Sequence, residues 1–278
     1  MKQLRLLIRL VLNLFGLVDK KTIWIDGGFG SQIIGYMQYV TSSHTNQKVK
    51  CDISFFKKLK SDSDFTDNLT FREWQLDYFG IDLGSFKDHK SKFRLRPDTK
   101  AQGLILEKFL SNFKKNIEWQ KIFPLKNETI KLLKNNYQIN EQKYTAIHIR
   151  KGDFLKFSSL KINDSQVFNF VKSIKHILND KIYFISDDLF NQNYINEIKK
   201  ICNDSHVEFI GGGNEFEIHA LMRESDILIT SNSMFSLSAA LLQKAEGVSI
   251  MPKYFYGVDF KEYNKAVGTL SNWVVLAK

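Results

Sequence analysis

Four stretches decide the fold: YTAIHIRKGD at 144–153, IYFISDD at 182–188, VEFI at 207–210 and ILITSNS at 227–233. Each is a short apolar run that stops at polar residues or glycine, the way strands buried on both faces of a parallel sheet read. Val167, Phe170, Val171, Ile174, Ile177 and Leu178 recur at helical spacing after the first run. Further helices are expected up to Ile201, over 217–225 and over 236–243, with a last strand at 248–251. Strands separated by helices of about 10 to 15 residues mark right-handed crossovers and a parallel sheet. Residues 141–252 are therefore read as a doubly wound α/β domain.

Towards the amino terminus, Ile23, Trp24 and Ile25 read as a short strand, broken by Asp26-Gly27-Gly28-Phe29-Gly30 ahead of a helix-spaced set of Ile33, Ile34, Met37 and Val40. Residues 50–140 are rich in lysine and aromatics with weak periodicity, apart from a helix expected over 127–136 after Pro124. The polar stretch 135–143 marks the boundary, giving a first domain over 22–140 and leaving 253–278 as a carboxy-terminal segment.

Residues 1–21 combine Lys2, Arg5 and Arg9 with leucine, isoleucine and valine. The longest uncharged stretch there, 10–18, is too short to span a bilayer. Arg9 interrupts the apolar part and no small-residue cleavage site follows, which argues against a secretory signal. Two readings stay open: a helix packed on the body of the protein, and an amphipathic helix lying on an anionic membrane face.

A length of 278 residues corresponds to about two domains. With 43% apolar and 25% charged residues and three prolines, the composition excludes disordered and fibrous classes. Two cysteines, Cys51 and Cys202, build no disulfide framework and no zinc spacing, so a reducing, cytoplasmic setting is expected. The net charge of +10 suits anionic partners, but the lysines are spread through periodic segments rather than clustered, so nucleic acid is not expected as a partner.

Ligands of open α/β sheets bind outside the carboxyl ends of the strands. Those ends carry His148, Arg150 and Asp153; Ser186, Asp187 and Asp188; and Ser231, Asn232 and Ser233, with Phe235 and Ser236 further along the same segment. A guanidinium with N–H donors suits a pyrophosphate, and the carboxylates suit the hydroxyls and base of a nucleotide sugar. Taken singly the parts are ordinary, since Arg-Lys-Gly-Asp makes a surface turn and Asp-Asp ahead of a helix makes a cap. Their order and spacing give them meaning.

Four segments resemble the glycosyltransferase family 11 α-1,2-fucosyltransferases. GGFGSQIIGYMQY at 27–39 is similar to that family's GGxGNQ loop and aromatic helix, and HIRKGDF at 148–154 to its HxRxGDY motif. FISDD at 184–188 and LMRESDILITSNSMFS at 221–236 resemble its Ser-Asp-Asp strand end and its Asn-Ser segment. Ser31 stands where the family has Asn, Met234 where it has Ser, Leu237-Ser238 where it has a Trp pair, and Ile218 where it has an acid.

The resemblance implies two Rossmann-like domains facing a cleft (GT-B type), GDP-fucose as donor, transfer with inversion, no required metal or cofactor, and a galactose-containing glycan acceptor. It implies Arg150 at the β-phosphate, assisted by Gly28, Gly30, Ser31 and Gln32 of the loop and by Ser233, with Asp187 or Asp188 accepting from guanine or ribose beside His148. Asp153 either orients Arg150 or touches ligand. The base is open, with Asp26 as a candidate. Rival expectations are another linkage or nucleotide-sugar donor, and a nucleotide-sugar-binding protein without catalysis.

Overall fold

The computed structural model describes residues 22–43, 50–53, 55–56, 73–86, 106, 108–110, 113, 117–139, 142–151, 163–203, 206–252 and 273–276. The chain divides into two compact units, residues 1–102 and 103–278. The division falls ahead of the boundary expected near 140.

In the first unit, β1 (Thr22–Trp24) pairs in parallel with β2 (Lys50–Asp52), and α1 (Phe29–Ser43) follows the glycine loop. Ile25, Cys51, Ile53, Phe56 and Phe86 form its core cluster, with Tyr36, Tyr39 and Trp74 packed against it. Burial, reinforced by Asp52, pushes the Cys51 thiol up to about 12, so it is an inert core group. Gly35 lets α1 approach β1: a Cβ there would lie 3.2 Å from Ile25 Cγ1 and from the Trp24 carbonyl.

The second unit is a six-stranded sheet of β3 (Tyr144–Ile149), β4 (Lys181–Ser186), β5 (His206–Gly211), β6 (Ile227–Ile229), β7 (Val248–Pro252) and β8 (Trp273–Leu276). Its strand order is β5-β4-β3-β6-β7-β8 and every pairing is parallel. That is the order of a Rossmann sheet, with the switch point between β3 and β6. The expected strands are all present, and β8 adds one beyond them.

Its helices are α2 (Trp119–Ile122), α3 (Asn127–Tyr137), α4 (Asp164–Ile174), α5 (Gln192–Ile201), α6 (Glu215–Glu224) and α7 (Met234–Leu241). The starts of α4, α5 and α6 are fixed by asparagines: Asn163 forms a capping box with Gln166, Asn191 accepts from Tyr194 N, and Asn214 accepts from Phe216 N and Glu217 N. α2 and α3 belong to this unit: the buried Arg223 of α6 donates from Nη2 to Gln120 Oε1 (2.6 Å) and the Phe123 carbonyl (2.8 Å) at α2, and the Tyr137 carbonyl at the end of α3 accepts from Lys181 Nζ (3.0 Å) and the Tyr183 hydroxyl (2.6 Å) of β4. Among the described residues no helix is long and apolar enough to cross a membrane.

Candidate functional site

The register of the sheet sets which residues share its carboxyl edge. Ile149 pairs with Ser186, and Ser186 with Gly211, so 150–151, 187–189 and 212–213 leave the sheet side by side. On the other flank of β3, Ile147 pairs with Ile229, which brings 230–233 to the same edge. Ligands of such sheets enter at this crevice, where the connections on either side run in opposite directions.

His148 bridges the switch point. Its Nδ1 lies 2.7 Å from Ser231 Oγ and the residue is buried. Burial, with a smaller contribution from Arg150, lowers its pKa to about 3, so the imidazole is neutral at physiological pH. A neutral ring exchanging a hydrogen bond with a serine serves to hold the turn after β6; it is not a cation for phosphate.

Arg150 stands at the mouth. Its Nη1 meets Asp187 Oδ2 at 3.1 Å, with the two side chains 17% and 23% exposed. Asp187 Oδ1 accepts from Lys151 N at 2.8 Å. One carboxylate therefore ties the guanidinium and the backbone of β3's exit to the exit of β4, so the Arg-Lys turn is anchored rather than loose. Lys151 turns aside: its Nζ lies 4.0 Å from the centre of the Tyr194 ring and 5.1 Å from that of Phe190, and 3.6 Å from Asp164. Of the two adjacent cations, Lys151 is held on aromatic faces and Arg150 at the edge.

Asp188 makes local bonds, accepting from Leu189 N at 2.8 Å while its own N–H donates to Ser186 Oγ at 3.2 Å. Neither aspartate caps α5, because Asn191 fills that place. The helix-cap reading of the pair is thereby removed.

The fourth polar end is the start of α7. Ser233 is its N-cap and accepts from Phe235 N at 3.2 Å. Ser236, fully buried, accepts from Ser231 N at 3.1 Å and closes the turn from beneath. Phe235 lies between two histidine rings, 5.8 Å from His148 and 5.4 Å from His219. His219 Nε2 pairs with Ser238 Oγ at 3.0 Å, and that hydroxyl donates to the Phe235 carbonyl at 2.9 Å, so the ring nitrogen is the donor in the pair. Burial first, then Arg223, holds the His219 pKa well below the usual histidine range. Sequence reasoning passed over His219 and marked Ser238 only as a departure from the family; the signal was a histidine on the buried face of α6, between Ile218 and Leu221. The result is a braced helix amino terminus whose N–H groups and dipole favour an anion, beside Arg150 across the switch point.

The remaining candidates lie in the first unit. Gly27 has φ +75°, open to glycine, and a Cβ on it would sit 3.3 Å from Ser31 Oγ. Asp26, Gly28 and Ser31 are half-buried, and Gly30 is buried. Gln32 is fully buried and all its bonds run to main chain: Nε2 donates to the carbonyls of Gly27 (3.0 Å) and Glu73 (2.8 Å), and Oε1 accepts from Gln75 N (2.9 Å). It shapes the loop. Phe29 does the same from the other side, stacking on Phe79 at 5.6 Å and meeting Tyr78 edge-on at 6.4 Å. Asp153 lies outside the described residues.

The structure thus gathers His148, Arg150, Ser186, Asp187, Asp188, Asn232, Ser233, Phe235 and Ser236 at one sheet edge, and places Asp26, Gly28, Gly30, Ser31 and Gln32 together at the end of β1 in the other unit. Compared with known proteins, residues 117–277 match the model of glycosyl transferase family 11. No curated protein and no solved structure matches the chain. The matched span covers more than half of the sequence and contains every polar strand end of the second unit, while the glycine loop lies ahead of it. The chain belongs to glycosyl transferase family 11, the α-1,2-fucosyltransferase family, and is a glycosyltransferase.

Proposed function

We propose that this family 11 enzyme is an inverting fucosyltransferase, moving fucose from GDP-fucose to a galactose-containing glycan with an α-1,2 linkage, in the synthesis of a surface polysaccharide. The reading includes a GT-B enzyme of two Rossmann-like domains, the second taking the donor and the first the acceptor. The observation that carries it is the Arg150 guanidinium held by Asp187 at the switch point, beside the braced amino terminus of α7.

In the proposed reaction an acceptor hydroxyl attacks the anomeric carbon from the face opposite GDP. The carbon–oxygen bond to the β-phosphate breaks, its electron pair stays on the phosphate oxygen, and the hydroxyl proton passes to a base. Arg150 and the N–H groups at the start of α7 stabilise the charge that grows on the leaving phosphate, a task for preorganised donors at the crevice. Ser233 and Asn232 lie on that turn and contact the phosphate or sugar. Asp187 acts through Arg150 and keeps it aimed, while Asp188 retains an oxygen to accept from the ribose or guanine. His148, neutral, holds the turn after β6, and Ser186, Phe235 and Ser236 pack beneath the ligand.

On the acceptor side Gly28, Gly30 and Ser31 form the backbone loop that meets the sugar, Gln32 fixes its shape, and Asp26 is the candidate base. Residues 1–21 lie on the anionic cytoplasmic face of the membrane, near a lipid-linked acceptor, through Lys2, Arg5 and Arg9.

The test is release of the nucleoside diphosphate, GDP from GDP-fucose or GDP-mannose and UDP from UDP-galactose, with and without lactose, followed by linkage analysis of the product. Lactose-dependent turnover of GDP-fucose and a fucose on the galactose 2-hydroxyl are expected. Turnover of another donor alone overturns the donor, and another linkage overturns the α-1,2 assignment. Binding of GDP-fucose without turnover favours a nucleotide-sugar-binding protein, the reading that Ser31 in place of the family's Asn motivates.

A further inference from the structure

Among the described residues, Leu189 is 77% exposed, far above the next large apolar side chain, Leu132, at 41%. A single exposed leucine is ordinary on a protein surface. This one is fixed on the rim of the candidate site. Its N–H donates to Asp188 Oδ1 at 2.8 Å, and its Cα lies 2.9 Å from where a Cβ on Gly211 would stand. Any side chain at 211 would push residues 188–189 away, so the glycine admits that backbone against the end of β5. The next two residues, Gly212 and Gly213, have φ +74° and +108°, and a Cβ on Gly212 would meet nothing within 4 Å. Gly212 N donates to the Ser186 carbonyl at 2.9 Å, which closes β5's exit onto β4's. At the β4–β5 edge the protein thus presents a bare backbone shelf at Gly212–Gly213, a largely exposed leucine whose Cδ2 lies 3.1 Å from the Cβ position of Gly211, and the carboxylate of Asp188.

Distance along the sheet indicates what this shelf receives. Arg150 and the start of α7 place phosphate over β3 and β6, and neighbouring strands are about 4.8 Å apart. The group left to accept from ribose hydroxyls or a base, the carboxylate of Asp188, stands on the β4 side. A nucleoside diphosphate extended from β3 in that direction covers roughly 10 Å, about two strand spacings, and ends over β4 and β5.

We infer that Leu189 and the Gly212–Gly213 backbone seat the base of the donor nucleotide: the leucine covers one face of a planar purine, the glycines allow the close approach of the other, and Asp188 stands at its edge. This rests on the proposed donor reading and assigns the residues that grip the base within it.

The experiment titrates the full chain with GDP and with inorganic pyrophosphate, native and as Leu189→Ala, by calorimetry. The exposed position makes the variant harmless to the core. GDP affinity should fall about tenfold, the scale of one leucine's apolar contact, while pyrophosphate affinity stays unchanged. As a second reporter, Leu189→Trp should lose fluorescence on adding GDP and not on adding pyrophosphate. Native GDP binding that Leu189→Ala leaves intact overturns the shelf and spares the donor site. Equal losses for both ligands overturn it too, because the leucine would then be shaping the phosphate turn. Failure of the native chain to bind GDP overturns both readings together.

Discussion

Replacing Asp187 by Asn tests the proposed role of the carboxylate that holds Arg150. The substitution keeps size and one carbonyl oxygen, so the bond from Lys151 N, 2.8 Å long, can persist and the turn should stay folded to within about 1 kcal/mol. What goes is the charge facing Arg150 Nη1 at 3.1 Å. Charge-assisted hydrogen bonds are about twice as strong as neutral ones, so the aim of the guanidinium weakens by about 1.4 kcal/mol, which is about tenfold in transfer rate. Removing the guanidinium itself, in Arg150→Ala, should cost about 10²- to 10³-fold, the loss of one transition-state charge donor. Because Asp187 acts through Arg150, the double variant should be no slower than Arg150→Ala alone. The assay is initial-rate GDP release from GDP-fucose with saturating lactose, with denaturant melts run alongside. A rate for Asp187→Asn within twofold of native, or losses that simply multiply in the double variant, would refute the positioning role and return Asp187 to the ligand.

Gln32→Ala should destabilise the first unit by about 3 kcal/mol, because it strips partners from Gly27, Glu73 and Gln75 main-chain groups at a fully buried site; urea unfolding reads this directly. Stability should fall as pH drops below 6.5, since the unfolded chain then protonates His148 and His219 while the fold keeps both neutral, His148 down to about 3. The slope is about 1.4 kcal/mol per pH unit for each histidine, and His219→Gln, which keeps a donor towards Ser238, should lower it in urea melts at pH 7 and pH 5. Deleting residues 1–18 should leave transfer to lactose intact and weaken binding to anionic vesicles in a sedimentation assay; equal sedimentation of both forms would favour the packed-helix reading.

The second unit was legible because its central strands β3 and β4 are buried on both faces. Ala146, Ile147 and Ile149, or Ile182 to Ile185, form apolar runs with no competing helical period, and each ends in residues that only a site or a turn would use. Short or distant features were not legible. β2 is three residues long and includes a lysine, too little for any periodicity to register. The place of α2 depends on Arg223 finding Gln120, 103 residues away, which no local pattern announces. The same holds at the site. His148, Arg150, Asp187 and Ser233 stood out as residues, but the tie between Lys151 and Asp187 spans 36 positions and exists only in the β3–β4 register. The resemblance implies Gln32 as a ligand group; two of its three bonds turn inward to Glu73 and Gln75, in a segment whose weak periodicity concealed it.

The strand order carries a consequence for how the molecule is made. β3 lies at the centre of the sheet, and its second neighbour is β6, which begins 82 residues after Tyr144 if measured by the bond from Tyr144 N to Asp226. At roughly 5 to 20 residues per second on the ribosome, one edge of the central strand stays without its partner for about 4 to 16 seconds after it emerges. β4 and β5 can dock in that time, but the apolar edge of 144–149 remains open as a template for other chains. The start of α7 follows β6, so the proposed phosphate site is among the last parts of the unit to be assembled, and slowing synthesis between residues 186 and 227 would prolong the window for aggregation rather than impair a finished enzyme.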